Sequence, residues 1–105
     1  MINFIKIVAK IINKIGVKIM IIKQDLEDFL YENLEAISEN HLECWKDRYF
    51  GYTKKHLLSD LENEHDSSLE VEYVEEVLNR KLSDNEEKYL IKQFNKEVVK
   101  KYIKG

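Results

Sequence analysis

The chain contains no proline, and glycine stands only at positions 16, 51 and 105 of its 105 residues. Proline removes a backbone donor and clashes with the preceding turn, and glycine supplies the conformations that end helices. A chain with almost none of either has little to interrupt helical hydrogen bonding. The expected fold class is therefore all-α, a small bundle of four to five helices joined by short loops. Partial alternation of side chains leaves a short strand possible at 17–22 and at 69–74.

Helical spacing marks the elements. Leu26, Phe29, Leu30, Leu34 and Ile37 predict a helix from about 24 to 38, and Leu42, Trp45 and Tyr49 continue the spacing up to Gly51. Thr53 is the expected N-cap of a helix carrying Leu57, Leu58 and Leu61. Asp66, Ser67 and Ser68 form the clearest polar break, and Ser67 with Glu70 has the capping-box spacing. Leu69, Val74, Val77 and Leu78 are the expected apolar face of the helix that follows. Ser83 with Glu86 repeats that spacing before a last helix bearing Leu90, Ile91, Phe94, Val98 and Tyr102. The chain divides into a basic amphipathic N-terminal segment, 1–23, and a helical domain, 24–105. Met20 would also serve as a start for that domain.

The formal net charge is only −3, yet its distribution is uneven. Residues 1–24 carry five lysines and no acid, and 24–45 carry seven acids and neither lysine nor arginine. Eleven acids lie between 60 and 87, and six lysines follow from Lys88 onward. Segregated charge of this kind bears on partner choice rather than on fold.

The opening run, INFIKIVAKIINKIGVKIMIIK, has no small-residue cleavage site, and lysine interrupts it every fourth residue. As a membrane span its central Lys10 and Lys14 would cost about 5–7 kcal/mol, against about 4–7 kcal/mol returned by its Ile, Val and Phe residues. On a helix, Lys6, Lys10, Lys14 and Lys18 form one slowly winding stripe on an otherwise apolar cylinder. That pattern suits association with the acidic helix at 24–38, with a protein partner, or with an anionic membrane surface.

Chemistry-bearing signals are sparse. His41 and Cys44 are three residues apart, but His56 and His65 complete no zinc spacing, so no metal site and no cofactor is expected, with the histidines in solvent and Cys44 half-buried. A lone cysteine forms no internal disulfide and points to a reducing, cytoplasmic setting. The acidic run from Asp60 has His65 where an EF-hand needs glycine and Val71 where it needs glutamate. In the stretch 44–56, Arg48, Lys54 and Lys55 interleave with Trp45, Tyr49 and Tyr52, a mixture able to contact phosphates and stack on bases. The competing expectation is that Trp45 and Tyr49 pack the core. Read as helix-turn-helix, the recognition helix LEVEYVEEV would bring Glu70, Glu72, Glu75 and Glu76 toward DNA.

The sequence thus points to a small non-enzymatic protein-interaction module, a regulator or inhibitor acting through segregated acidic and basic surfaces, in a homo-oligomer or hetero-complex. Its candidate partner-binding residues are Lys6, Lys10, Lys14, Lys18, Trp45, Arg48, Tyr49, Tyr52, Lys54 and Lys55. A nucleic-acid-binding protein using 44–56 and the lysine-rich tail is the second reading, and a membrane-surface accessory protein the third. In composition and expected architecture the chain resembles small lysine-rich helical proteins such as bacteriocin immunity proteins and phage-encoded inhibitors. It carries no motif specific to either, so the resemblance assigns no residue a role.

Overall fold

The computed structural model describes residues 22–104, and every regular element in them is an α-helix: α1 (Gln24–Tyr49), α2 (Lys54–Asn63), α3 (Ser68–Leu78) and α4 (Asp84–Lys104). The described residues contain four helices and no strand, and no helix among them is long and apolar enough to cross a membrane. Lys6, Lys10, Lys14 and Lys18 lie outside the described residues. So does the strand expected at 17–22, except for Ile22, which packs against the core outside any regular element.

Helix α1 is a single rod of 26 residues, about 39 Å long. The spacing predicts a helix over 24–38 with Leu42, Trp45 and Tyr49 continuing it up to Gly51; the inward positions that follow Ile37 are taken by Ser38 and His41, both buried, and the helix runs unbroken through them. It stops in a tight turn. Phe50 has φ −57° and ψ 122°, Gly51 has φ +80°, and the Tyr52 N–H donates to the Tyr49 carbonyl at 3.0 Å. These angles define a type II turn, whose third position needs the left-handed conformation that glycine adopts without strain. The Thr53 hydroxyl then accepts from the His56 N–H, capping α2 as its position predicts.

The stretch 69–74, a strand on the alternation argument, is the first half of α3. Val71 and Val74 are buried and Leu78 is half-buried, a three- and four-residue spacing that seats one helical face on the core. Leu69 and Val77, expected on that face, are instead exposed with Tyr73. The helix ends in a Schellman motif: Asn79 is left-handed at φ 55°, its N–H bonds the Glu76 carbonyl, and the Arg80 N–H bonds that of Glu75.

Helices α1, α2 and α3 all pack on α4. Leu26, Phe29 and Leu30 meet Val71, Val74, Leu82 and Leu90 at one end of the α1–α4 pair. Tyr49, Leu57, Leu61, Phe94, Val98 and Val99 fill the other, and Leu34 and Ile37 join the two clusters. The first end is tied by Glu86, which is only 2% exposed. Its carboxylate accepts from the Arg80 guanidinium at 2.9 and 2.8 Å, from the Ser83 N–H at 3.2 Å and from the Lys23 N–H at 3.2 Å. Arg80 also forms a bidentate pair with Asp25, so one guanidinium joins the starts of α1 and α4 to the end of α3. At the second end the Tyr102 hydroxyl lies 2.8 and 2.7 Å from the carbonyls of Tyr49 and Tyr52, within donating reach of either. It thus anchors the α1–α2 turn to α4.

Candidate functional site

The five lysines 88, 92, 96, 100 and 104 recur at steps of four along α4, each about 40° on from the last, so they form one slowly winding stripe. All five are exposed, and among the described residues none is in an ion pair; Lys101, one position off the stripe, bonds Glu35 and Glu39 on α1. Beside the stripe, α2 and α4 enclose an open groove of about 860 Å³. Its floor is apolar, made by Leu58, Ile91, Val99 and Ile103. Its rim carries the five lysines and Lys54, against the single acid Glu62. Asn95 also lines the groove; it is buried, and its side-chain Oδ1 has no hydrogen-bond partner among the described residues.

The aromatic and basic residues of 44–56 are dispersed by the fold. Lys54 joins the groove rim and Lys55 is exposed on α2. Arg48 forms a two-pronged pair with the buried Asp60, at 2.9 and 3.0 Å, which holds the Asp60 carboxyl below its ordinary range and raises the guanidinium pKa. Its charge is therefore largely matched within the protein. Tyr49 is buried, and burial pushes its phenol up to about 12. Tyr52 is half-buried and stacks on His56 with ring centroids 3.8 Å apart. Trp45, expected with Tyr49 in the core, is 42% exposed, with the Arg48 guanidinium 5.9 Å from its ring centroid. A tryptophan one helical turn from Tyr49 lies just off the inward stripe, and the rings of His41 and His65 occupy the space beneath it.

Those histidines are the largest departure from the sequence reading. His56 is exposed as expected, but His41 is buried and His65 half-buried. Cys44 points to solvent rather than being half-buried. His41 reaches the Tyr49 hydroxyl with Nε2 at 2.7 Å, and His65 reaches Glu70 Oε1 with Nε2 at 2.8 Å. Their rings meet edge to face with centroids 4.8 Å apart, against Phe94. Burial lowers the His41 pKa to about 4, so that ring is neutral near pH 7. Glu70 has turned to His65, and the capping box expected with Ser67 does not form. Asp66 instead accepts from the N–H and hydroxyl of Ser68.

Spacing in the sequence offered His41 with Cys44; the fold brings together His41, His65 and Glu70, which come from the middle of α1, the α2–α3 loop and the first turn of α3. Only the chain reversal between α2 and α3 juxtaposes them. Compared with known proteins, the chain matches no family model, no curated protein and no solved structure.

Proposed function

We propose that the protein is a non-enzymatic interaction module, a regulator or inhibitor, whose α2–α4 groove receives an acidic amphipathic helix from a protein partner. The observation that carries this reading is the combination of an apolar floor with a rim of six lysines against one glutamate. Apolar side chains at helical spacing would cover Leu58, Ile91, Val99 and Ile103, and acids flanking them would meet the rim. The buried Asn95 carbonyl would accept one donor from the occupant. Opposed charge of this kind sets association rate and partner selection more than affinity.

Nucleic acid is the alternative occupant. A phosphate backbone would suit the lysines but would leave the apolar floor uncovered, and the exposed Glu72 and Glu76 of α3 disfavour the helix-turn-helix arrangement. An anionic membrane surface is the other.

The test measures binding of three probes to the full chain: a labelled helical peptide with leucines on one face and glutamates on the other, mixed-sequence duplex DNA, and phosphatidylserine vesicles. The peptide should bind, its lysine-substituted counterpart should not, and Lys92→Glu with Lys96→Glu should weaken binding by at least about tenfold. Submicromolar DNA binding at physiological salt, or vesicle binding without peptide binding, would replace this reading with the corresponding rival.

A further inference from the structure

We propose that His41, His65 and Glu70 form a binding site for a divalent transition-metal ion, with zinc favoured by the donor set. The site is separate from the lysine-rimmed groove and does not depend on it. One ring nitrogen of each histidine and a carboxylate oxygen of Glu70 all lie within 4.8 Å of one another. Zinc bonds of about 2.0–2.1 Å at the tetrahedral angle put ligand atoms roughly 3.4 Å apart, so this spread closes by small rotations of side-chain bonds. Two imidazoles and one carboxylate make a three-donor set that leaves a fourth position for water or a small anion.

The second observation is Glu70 Oε2. It is buried and has no hydrogen-bond partner among the described residues, although its companion oxygen is held by His65. A carboxylate oxygen removed from water without a partner costs free energy, and a cation bound there would offset that cost. Neither ring is exhausted by its present contact: one nitrogen of His41 faces Tyr49, one of His65 faces Glu70, and each ring has another. An adjoining cavity of about 230 Å³, lined by Trp45, Arg48 and Tyr49 among others, touches the cluster at His65. The polar pairs His41–Tyr49 and His65–Glu70 would by themselves hold the α2–α3 loop against α1, and that purely structural role is what the experiment must separate from metal binding.

Full-length protein without a polyhistidine tag, stripped with chelator, is titrated with Co²⁺ and then Zn²⁺. The expected result is one equivalent of Co²⁺ with the visible absorption of a four-coordinate ion, displaced by Zn²⁺. Zinc at a hundredfold excess over its Kd should raise Tm by roughly 10 °C. His65→Asn and Glu70→Gln, shown by circular dichroism to remain helical, should each lose these responses, whereas His56→Asn and Cys44→Ser should keep them. The proposal is overturned if native protein shows neither response, if both cluster variants bind as native does, or if Cys44→Ser alone abolishes binding.

Discussion

The motif Ser-x-x-Glu occurs twice at the start of a helix, as Ser67 to Glu70 before α3 and as Ser83 to Glu86 before α4, and the two copies end differently. Ser83 and Glu86 close the reciprocal box: the Glu86 N–H donates to the Ser83 hydroxyl and the Ser83 N–H to the Glu86 carboxylate, both at 3.2 Å. Ser67 makes no cap, because Glu70 is drawn to His65 and Asp66 takes over the Ser68 N–H. The neighbours decide. Each Glu86 oxygen accepts from the Arg80 guanidinium and from one backbone N–H as well. His65 instead pulls Glu70 away from its cap and leaves one buried oxygen unpartnered among the described residues. A saturated carboxylate is a structural bolt, whereas one with spare capacity can take a ligand.

The largest effect should come from removing the saturated partner. Glu86→Ala leaves the Ser83 and Lys23 N–H groups without their acceptor and Arg80 without one of its two carboxylates, so a loss of roughly 3 kcal/mol is expected in urea unfolding. A loss under about 1 kcal/mol would show that water replaces these bonds.

Acid should expose the same hub. The Arg80 guanidinium, hydrogen-bonded to both groups, holds Glu86 and Asp25 down to about 2. Both folded pKa values lie below their unfolded ones, so the stabilisation is fully present above about pH 4.5 and is lost as the pH falls toward 2. Thermal unfolding across this window should show Tm falling with pH, and Glu86→Gln should flatten the slope. An unchanged slope in that variant would place the acid sensitivity elsewhere.

How much of this was legible follows the same division. Apolar periodicity and the absence of proline were enough for the all-helical fold of the described residues, and Gly51, Thr53 and the Ser83–Glu86 box appear where local rules put them. These depend on residues close in sequence. The reach of α1 toward Gly51 follows from Leu42, Trp45 and Tyr49, but the burial of Ser38 and His41 does not, because they occupy inward positions where periodicity looks for apolar side chains. The Arg80 bridge to Asp25 and the meeting of His41 with His65 depend on chain reversals that no spacing encodes. The sequence shows the tail from Lys88 onward only as a run of six lysines; its steps of four become a groove rim once Leu58 and Lys54 of α2 stand beside them.

The two serines sharpen the comparison on a smaller scale. Ser83→Ala removes a working cap and should cost about 1 kcal/mol, whereas Ser67→Ala, which removes none, should stay within about 0.5 kcal/mol. Equal costs would mean that Ser67 caps α3 in solution, and that Glu70 is held there as Glu86 is held at α4.

Glu70→Gln should have only a small effect on the metal-free protein. The amide carbonyl can keep the hydrogen bond from a His65 ring N–H, and the substitution removes a charge whose second oxygen has no partner among the described residues. The lost charge assistance and the relieved desolvation oppose each other, so the net change should be under about 1 kcal/mol. Glu86→Gln is different in kind. It removes the charge facing a guanidinium and puts an NH₂ group where an oxygen had accepted, so it should cost at least twice as much as Glu70→Gln in the same unfolding experiment. If the two glutamine variants are equally destabilised without metal, Glu70 is as structural as Glu86, and the distinction drawn from its spare oxygen fails.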